Sequence, residues 1–529
     1  MNKIAKYLNQ YITGAVYGGL PVLDGYATDR SILKIRPKVV AVPRTTRDIR
    51  KLIRFSNQLA LKNFKLPVTA RGTGLDKTGA AIGPGLIISM EKMDRIQEID
   101  PRGRLVRVQA GVTLGNLNSA LSLHGLTLPV AGDPRQTIGG LLANDHIGPL
   151  AASHGTLSSH VSQAEIVLSG GDVIQTERLS PRRLKKKKDT PGFEGELYRQ
   201  LDNFLSDNSE VFADIKPGTR SGYATIPQIR SKNGSLNLLP AFFGSQGTLG
   251  IVTEVILSCE LASGLPQYFV AAFANINAAL HFVSQANDLR PGEVNVYDVN
   301  LFREALEFGK KFHPIKSLPE NGVVVTIVID DLNKRHRANK LRKLTLSLPK
   351  STRFAVSDEE SYPAFLKLQS ILSVYLNSSF RNFRVPLTDD AFVPNSQLKK
   401  YFSGIVELEH KHKISLPVFG SALTENYSIR PEIDLASEAG RQFALTFLRE
   451  YNELVASCDG SLAGGSAEGR LKAVFTSAFF DSELKELYQE FKNIFDPNHI
   501  LNPDIKHDAN LRSVVRSLRT SYDPGIIEE

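Results

Sequence analysis

Cysteine and tryptophan are nearly absent from this chain of 529 residues, which has two cysteines and no tryptophan. Cys259 and Cys458 are too few for a disulfide framework, so the sequence favours a reducing, cytoplasmic compartment. They are also too few for an iron–sulfur cluster held by thiolates. Redox chemistry in this chain would therefore need another cofactor.

Long apolar runs are also missing. Residues 1–11 are polar and are interrupted by Lys3, Lys6 and Asn9, so they lack the apolar core of a signal peptide. No run reaches the roughly 18 apolar residues that a membrane-spanning helix needs. We therefore expect no transmembrane segment, while the net charge of +9 leaves peripheral contact with an anionic membrane open.

Basic and aromatic residues are not interleaved as they are in RNA-binding proteins, so we expect no nucleic-acid partner. The densest basic run comprises Arg182, Arg183 and residues 185–188, directly after Pro181. We interpret this run as a solvated surface loop rather than a specific binding patch.

The length and an ordinary globular composition, 42% hydrophobic and 22% charged, predict two or three domains. Short apolar runs predict strands, and apolar residues at helical spacing predict helices. Before a linker at 262–266, we predict a helix at 46–63 and strands at 38–42, 66–70, 86–90, 105–109, 164–168, 172–175 and 251–258. After it we predict strands at 268–272, 292–299 and 323–329, and helices at 276–289, 332–348, 434–451 and 481–495.

A glycine-rich loop at residues 70–83 lies between two predicted strands. Glycine permits positive φ, and successive main-chain N–H groups in such a turn suit phosphate oxygens. A Walker A loop is excluded because Ala80 and Ala81 follow Gly79, and a Rossmann fingerprint is excluded because Lys77 occupies the position of its third glycine. On the loop alone, a structural hairpin is an equal alternative.

Further motifs follow in order along the chain. They are residues 42–46 (Val-Pro-Arg-Thr-Thr), 108–112 (Val-Gln-Ala-Gly-Val), 137–144 with Thr-Ile-Gly-Gly and Ala-Asn, 154–156 (His-Gly-Thr), 244–254 (Gly-Ser-Gln-Gly-Thr-Leu-Gly-Ile-Val-Thr-Glu) and 495–503 with Phe-Asp-Pro and Leu-Asn-Pro. With them the chain, over residues 20–506, resembles the PCMH-type (vanillyl-alcohol-oxidase-like) FAD-binding oxidoreductases. The resemblance is greatest to the D-lactate dehydrogenase and glycolate oxidase flavoprotein-subunit group.

The resemblance implies an α+β fold, in which a two-subdomain FAD-binding domain is followed by a ferredoxin-like antiparallel-sheet cap and a C-terminal helical segment. We place the FAD-binding domain at 1–262, the cap or substrate domain at 263–430, the segment that returns to the FAD-binding domain at 431–506 and a loose tail at 507–529.

The resemblance also implies which residues bind FAD, with residues 71–79 around the diphosphate. The cofactor candidates are Pro43, Arg71, Gly72, Thr73, Gly74, Leu75, Asp76, Lys77, Thr78, Gly79, Thr137, Gly139, Gly140, Asn144, Gly148, Gly247, Gly250, Ile251 and Asn502. Some relatives attach flavin through a histidine or a cysteine, but no histidine precedes His124 and no cysteine precedes Cys259. Noncovalent FAD is therefore expected.

The hydroxy-acid members of the group use the metal-binding motifs H-x-G-D-G-N-x-H and S-G-E-H-G. In this chain Ser421 and Ser428 stand at the histidine positions of the first motif, and Gly465 and Ser466 at Glu-His of the second. Serine hydroxyls substitute poorly for imidazole and carboxylate ligands. We therefore predict no metal and doubt a standard D-lactate or D-2-hydroxyglutarate dehydrogenase.

Other residues are candidates for catalysis and substrate binding. His146 and His154 could accept a proton, although a hydrogen-bonded loop histidine is the simpler interpretation of each. Arg470 matches an arginine of the family and is a catalytic or structural candidate. The substrate candidates are Arg381 and Arg384, because guanidinium pairs with carboxylate, and Glu425 and Glu468, for which a side chain facing solvent is the simpler interpretation.

The sequence thus predicts an FAD-dependent oxidoreductase that oxidises a small, anionic or polar alcohol or 2-hydroxy acid by hydride transfer to flavin. The electrons would then pass to oxygen, a quinone or a carrier protein. One rival keeps the fold but acts on a sugar or another alcohol, or only transfers electrons. A rival of another class is a non-enzymatic protein that binds anionic surfaces through residues 182–188.

Overall fold

A computed structural model describes residues 2–215, 220–262, 264–309, 315, 317–377, 384–506 and 509–522. Its strands are β1 Ala15–Tyr17, β2 Val39–Val42, β3 Val68–Arg71, β4 Leu86–Ser89, β5 Ile96–Asp100, β6 Leu105–Gln109, β7 Leu126–Thr127, β8 Val161–Val167, β9 Val173–Gln175, β10 Arg178–Leu179, β11 Leu236–Asn237, β12 Ile251–Ser258, β13 Glu260–Leu261, β14 Gln267–Phe273, β15 Glu293–Asp298, β16 Val323–Ile329, β17 Arg353–Val356, β18 Ala391–Phe392, β19 Val418–Ser421 and β20 Asn426–Ile429.

The helices follow the same chain order. They are α1 Lys3–Leu8, α2 Leu20–Gly25, α3 Thr46–Ala60, α4 Leu114–Ser122, α5 Ile138–Asn144, α6 Ala151–His154, α7 Leu157–His160, α8 Pro181–Lys188, α9 Phe193–Asp207, α10 Leu239–Phe242, α11 Ile276–Asp288, α12 Val299–Phe308, α13 Lys334–Ser347, α14 Tyr362–Asn377, α15 Leu398–His412, α16 Glu438–Ser457, α17 Gly469–Thr476, α18 Ser482–Phe495 and α19 Leu511–Ser517.

The chain divides into two compact units. Unit 1 comprises residues 1–146, 157–261 and 466–518, and unit 2 comprises residues 147–156, 262–465 and 519–529. The domain boundaries predicted from the sequence, which place residues 431–465 in a C-terminal segment, stay predictions.

Unit 1 contains two larger sheets. In the first, of order β1-β2-β4-β3, strands β2, β4 and β3 are parallel and β1 is an antiparallel edge. The second, of order β5-β6-β12-β8-β9, is antiparallel throughout. Strand β12 pairs on both sides, so its residues are mostly buried and its sequence, Ile-Val-Thr-Glu-Val-Ile-Leu-Ser, is rich in β-branched residues.

Helix α3 shows how the local sequence sets an element of unit 1. Thr45 caps its N-terminus by accepting a hydrogen bond from the Asp48 main-chain N–H through its side-chain oxygen. Ile49, Leu52 and Ile53 then recur at helical spacing, and all three are fully buried in the core of unit 1. The glycine loop after β3 is thereby carried by a strand of a well-packed sheet.

Unit 2 is built on a seven-stranded antiparallel sheet of order β17-β14-β16-β15-β19-β20-β18. Helices α11 and α13 supply residues to a core on one face of the sheet, and helices α12 and α14 to a core on the other. Period-2 alternation divides each central strand between these cores, as Val325 and Ile327 join the first core and Val324 and Val328 the second. The predicted α+β fold with an antiparallel cap sheet is confirmed.

Two local predictions are wrong. Residues 182–188 form most of helix α8 rather than a loop, because Ser180 caps it, Pro181 suits its first turn and Leu184 is buried. The tail predicted to be loose contains helix α19, which Asn510 caps and whose Val514 is buried. Among the described residues, no helix is both long enough and apolar enough to cross a membrane.

A buried ion pair in helix α18 gives a stability prediction. Lys492 Nζ lies 2.5 Å from Asp496 Oδ2, and Asp496 also accepts hydrogen bonds from the main-chain N–H groups of Ile500 and Leu501. Asp496→Ala would leave the ammonium buried without its anion, and should reduce the free energy of unfolding by about 3–5 kcal/mol in chemical denaturation.

The exposed pair Arg449–Glu453 provides the control for that experiment. Glu453→Ala should change the free energy of unfolding by less than about 1 kcal/mol. Equal effects of the two substitutions would contradict a special role for the buried pair.

The carboxyl group of Glu293 on β15 gives a pH prediction. Burial raises its pKa to about 7; the hydrogen bond from Asn295 opposes this shift and the charge of Asp330 adds to it. The folded state therefore holds a proton that the unfolded state releases near pH ~4.3. Stability from this group is present at low pH and is lost as the pH rises through about 7.

We expect Glu293→Gln to lessen the loss of stability between pH ~5 and pH ~8, because the amide does not ionise. The measurement is the denaturation midpoint of both proteins at several pH values. Superimposable pH profiles for the wild type and the variant would contradict this assignment.

Candidate functional site

The glycine loop connects the parallel strands β3 and β4 in unit 1. Gly74 and Gly79 have φ of +75° and +82°, a region that glycine adopts without strain. The Asp76 carboxylate holds the turn between them, because it accepts hydrogen bonds from the main-chain N–H groups of Thr78 and Ala80. Within the described parts of the chain, the N–H groups of residues 73–76 have no acceptor.

Those four N–H groups are the observation that tests the loop against a diphosphate. Successive amides that no carbonyl satisfies, in a turn with positive φ, form the kind of nest that accepts phosphate oxygens. The loop therefore fits the pyrophosphate of a dinucleotide.

The glycine loop lies against the start of helix α5. A Cβ added to Gly72 would overlap Thr137 Oγ1, so the two segments are in close contact at this position.

Arg71 fixes the base of the loop. Its Nη1 donates to the Thr28 carbonyl at 2.8 Å, and its guanidinium lies 5.2 Å from the centre of the Tyr26 ring. Nearby, burial raises the pKa of Asp29 to about 6, and the charge of Asp76 adds to this shift. Arg71 thus anchors the loop to residues 26–29, and its contact with a cofactor stays a prediction.

Helix α5 carries the second group of predicted cofactor residues. Thr137 caps this helix by accepting a hydrogen bond from the Gly140 main-chain N–H at 3.2 Å. A Cβ on Gly139 would come within 2.7 Å of the Ala110 Cβ, so only glycine allows this packing. Asn144, at the end of the helix, accepts a hydrogen bond from Gln246 Nε2 at 3.0 Å. Helix α5 is thereby joined to the segment that precedes β12.

The side chain of Asn502 is hydrogen-bonded to three other parts of the chain: β3 with the glycine loop, the segment before β12, and helix α17. Its Nδ2 donates to the carbonyls of Ala80 and Gln246 at 3.0 and 2.7 Å, and its Oδ1 accepts from Thr69 Oγ1 and Arg470 Nη2 at 3.0 and 2.8 Å. Its side chain is fully engaged within the protein. Asn502 therefore organises the loops instead of offering its own amide.

Arg470 is completely buried beside the glycine loop. Its Nη1 donates to the Gly79 carbonyl at 2.7 Å, and its Nη2 also donates to the Pro503 carbonyl at 2.9 Å. Burial lowers the pKa of Arg470 to about 10. Its contacts are those of a residue that positions the loop, and the predicted catalytic role is not tested by them.

The other predicted cofactor residues of unit 1 surround these contacts or pack beneath them. Pro43 is buried directly after β2; Leu75 and Lys77 lie in the loop; Gly247 has φ of +73°; Gly250 leaves no room for a Cβ beside Ile166; and Ile251 begins β12 and is 2% exposed. Gly148 belongs to unit 2.

Several substrate candidates have partners within the protein. Glu468 is fully buried in unit 1, where it accepts hydrogen bonds from Lys506 Nζ at 2.9 Å and from the Gly222 N–H at 2.7 Å. In unit 2, Glu425 accepts from the Asn395 N–H at 2.8 Å. Arg384 pairs with Glu304 and Glu432 at 2.8 and 3.3 Å, whereas Arg381 lies outside the described residues.

The two candidate proton acceptors differ in setting. His146 lies just after helix α5 in unit 1, where its main-chain N–H donates to the Leu141 carbonyl. His154 lies in unit 2, and its Nε2 is 2.8 Å from Asp330 Oδ2. A carboxylate in this position fixes the orientation of an imidazole. Because the pair is 176 residues apart in sequence, no local pattern could have predicted it.

Sequence reasoning also missed Gln246, whose side chain accepts a hydrogen bond from the Gly469 N–H and donates one to Asn144. Its position in the sequence Gly-Ser-Gln-Gly was the only indication that the sequence offered, and the structure gives it a φ of 51°.

The positions that hold metal ligands in the resembled motifs carry poor ligands in this chain. Ser421 and Ser428 offer only hydroxyl groups, and Gly465 has no side-chain ligand atom. No group of three or more His, Cys, Asp or Glu side chains suited to a metal occurs in the described residues.

Three of the six basic side chains of helix α8 form ion pairs. Arg183, Lys187 and Lys188 pair with Glu177, Glu194 and Asp202 at 2.6, 2.7 and 2.6 Å. This pairing reduces the positive field that an anionic surface would meet.

Residues 37–177 match the FAD binding domain family, and residues 266–505 match the C-terminal domain of FAD linked oxidases. Solved structures share the fold: 4-ethylphenol oxidase from Gulosibacter chungangensis has a TM-score of 0.69 at 16% identity, covering 96% of this chain and 97% of that one. For p-cresol methylhydroxylase the TM-score is 0.67 at 14% identity, covering 94% of each.

Relatives by sequence include a D-2-hydroxyglutarate dehydrogenase of Pantoea ananatis, 25% identical over 94% of this chain and 51% of its own. A D-lactate dehydrogenase of Archaeoglobus fulgidus is 23% identical over 91% and 95%, and the glycolate oxidase subunit GlcD of Bacillus subtilis is 23% identical over 88% of each. The chain spans about half the length of the D-2-hydroxyglutarate dehydrogenase that it matches.

The predicted resemblance and the FAD cofactor are confirmed by these matches. An FAD-binding domain and the C-terminal domain of FAD-linked oxidases follow one another along a single chain, and the protein therefore carries both of these domains of an FAD-linked oxidase.

Proposed function

We propose that this protein is an FAD-dependent oxidoreductase that oxidises a CH–OH group of a small, polar molecule. The observation that carries the proposal is the loop at residues 73–76, whose successive N–H groups lack acceptors within the described chain. The relatives named as dehydrogenases of D-2-hydroxyglutarate and D-lactate, and as a glycolate oxidase subunit, support a CH–OH donor.

In this proposal, FAD is bound mainly by main-chain groups rather than by side chains. Residues 73–76 would hold the diphosphate, the start of helix α5 with Thr137, Gly139 and Gly140 would lie along the flavin, and Ile251 would contact the adenosine half through its backbone. Bound flavin supplies two-electron chemistry that amino-acid side chains cannot perform. Arg470 and Asn502 would keep the loop in place through their contacts with Gly79, Ala80 and Gln246.

The substrate side draws on His146 and His154 as candidate proton acceptors. For His154, Asp330 at 2.8 Å would stabilise the imidazolium that forms when a hydroxyl loses its proton. Arg384 is a weaker candidate for binding a substrate carboxylate than the sequence suggested, because Glu304 and Glu432 already compensate its charge. We retain Arg381 and Glu425 as substrate candidates on the sequence alone.

Replacement of Gly74 tests the cofactor loop. Alanine at φ of +75° is strained by roughly 1–2 kcal/mol, and its Cβ would overlap the Arg71 guanidinium. We expect Gly74→Ala to weaken FAD binding about 5- to 30-fold, measured by titrating the apoprotein with FAD.

Gly25→Ala is the matched control, because a Cβ at Gly25 would meet nothing within 4 Å and the residue lies in helix α2. This variant should bind FAD like the wild type. Unchanged affinity in Gly74→Ala would show that the glycine loop does not hold the cofactor.

The spectrum of the purified protein tests the cofactor and the reaction together. We expect an oxidised flavin spectrum, release of all the flavin into the supernatant after denaturation, and anaerobic loss of the flavin absorbance with at least one alcohol or hydroxy acid. Flavin that stays with the precipitated chain would contradict noncovalent binding. A yellow protein that dithionite reduces, but that no compound of either class reduces, would contradict the proposed reaction.

A further inference from the structure

One row of residues crosses the sheet of unit 2 from strand to strand. Strand pairing places Thr326 opposite Asn295, Asn295 opposite Ser421, Ser421 opposite Asn426, and Asn426 opposite Phe392. Residues directly opposite one another in an antiparallel sheet carry their side chains on the same face. The row therefore brings four polar side chains together on one face.

Two side chains in this row have buried polar atoms without a partner. Ser421 and Asn426 are each 7% exposed, and neither Ser421 Oγ nor Asn426 Oδ1 has a hydrogen-bond partner within the described residues. Asn426 Nδ2, by contrast, donates to the Thr424 carbonyl at 2.8 Å. A buried polar atom without a partner is costly, so a pair of them on adjacent strands indicates a ligand that completes them.

The two atoms together define the chemistry of that ligand. Asn426 Oδ1 can only accept a hydrogen bond, whereas Ser421 Oγ can donate or accept. An alcohol hydroxyl matches both, because it can donate to Asn426 and accept from Ser421. A carboxylate can only accept and would leave Asn426 Oδ1 without a donor, so a hydroxy acid would have to present its hydroxyl here, and the charges nearby then decide between an acid and an uncharged alcohol.

The charges around the row also disfavour an anion. Glu293 lies two residues before Asn295 on β15, and a Cβ on Gly465 would lie 2.7 Å from Asp390 Cβ and 3.4 Å from Asn426 Cγ, so Asp390 lies beside Asn426. Like charges close together repel, so the Asp390 carboxylate beside Asn426 disfavours an anionic ligand, whereas Glu293, which keeps its proton up to about pH 7, contributes less.

The described arginines near this face are already compensated. Arg430 pairs with Asp389 at 2.7 Å, and Arg384 pairs with Glu304 and Glu432. The positions that carry metal ligands in the resembled motifs, Ser421 and Ser428, are neutral here, and Ser428 Oγ accepts a hydrogen bond from the Asp390 N–H at 2.8 Å. Neutral serine hydroxyls are poor ligands for a divalent cation that could offset the charge of a carboxylate.

We infer that this row of unit 2 is a metal-free subsite for an uncharged, hydroxyl-bearing compound, in which Ser421 donates to the ligand hydroxyl and Asn426 accepts from it. The inference rests on the proposed function, whose substrate class it narrows from hydroxy acids and alcohols to uncharged alcohols.

Pairs of small molecules that differ in charge test this subsite. The probes are glycolamide against glycolate, D-lactamide against D-lactate, and glycerol against D-glycerate, titrated into the FAD-loaded protein by calorimetry and used in anaerobic flavin reduction. In at least one pair, the uncharged member should bind and reduce the flavin at least 10-fold better than the acid. Equal or better performance of the acid in every pair, or no binding of any uncharged probe, overturns the inference.

The outcome separates the inference from the proposed function. Flavin reduction by D-lactate or glycolate alone would keep the oxidoreductase and reject the uncharged subsite. A protein that takes up no FAD would reject the proposed function itself.

Ser421→Ala and Asn426→Ala provide the residue-level test with the best uncharged probe. Each removes one neutral hydrogen bond and should weaken binding about 3- to 10-fold. Ser421→Ala should unfold no more readily than the wild type, because it deletes an unpaired buried hydroxyl. Ser403→Ala, an exposed position on helix α15, is the control and should bind as the wild type does. Unchanged binding in Ser421→Ala and Asn426→Ala overturns the subsite.

Zinc alone tests whether the row lacks a metal. The wild type should retain no stoichiometric Zn²⁺ after dialysis, whereas Ser421→His combined with Ser428→His places two imidazoles on one sheet face and should increase Zn²⁺ retention. One Zn²⁺ per wild-type chain that Ser421→Ala removes would overturn the metal-free assignment.

Discussion

The candidate flavin site depends on one buried side chain, the amide of Asn502. Its two donors reach the carbonyls of Ala80 and Gln246, and its oxygen accepts from Thr69 and Arg470. An aspartate would lack these donors, and a longer side chain could not lie in the same place. Asparagine also tolerates the φ of 39° at this position better than most residues do. This one residue therefore joins the segment after helix α18 to the glycine loop and to the segment before β12.

Arg470 extends the network and brings a buried charge into it. Although burial lowers its pKa to about 10, the guanidinium stays protonated near neutral pH. Its described acceptors are two carbonyls and the Asn502 oxygen, while the charges of Asp504, Asp29 and Asp76 favour its protonated form. Neutral acceptors alone compensate a buried cation incompletely, and these three carboxylates supply the opposite charge. The loop is consequently held by a buried arginine that both its hydrogen bonds and these carboxylates stabilise.

The sequence predicted the parts of this arrangement that depend on local geometry. Gly74 and Gly79 adopt positive φ, strands β6, β12 and β16 have the predicted bounds, and the sheet of unit 2 is antiparallel. Helix α8 was missed because a run of lysines was taken for a loop, although Ser180 and Pro181 are a strong helix start. Apolar periodicity measures burial and is weak where a helix buries only Leu184.

Side-chain roles were harder to predict than elements, because they depend on partners far away in sequence. Glu468 was expected to bind substrate or to face solvent, but it is buried and pairs with Lys506. Arg384 was expected to bind an anion, but it pairs with Glu304 and Glu432. A charged residue in a motif has the same sequence signature whether its partner is a substrate or another side chain. Only the fold distinguishes the two.

The subsite inferred on the sheet of unit 2 illustrates how side chains set the chemistry of a face independently of the fold. Ladder hydrogen bonds join main-chain groups, so serine at 421 and 428 preserves the pairing of β19 with β20 that any other side chain would have. Along one row, the side chains change from Ala355 and Val270, near the core under helices α12 and α14, to the polar residues from Thr326 to Asn426. A sheet face with serine hydroxyls in place of imidazoles cannot bind a metal cation well. Recognition of a ligand on such a face then depends on which groups donate and which accept each hydrogen bond. In the inferred subsite, such a face would select ligands by whether they can donate as well as accept, which a hydroxyl can do and a carboxylate cannot.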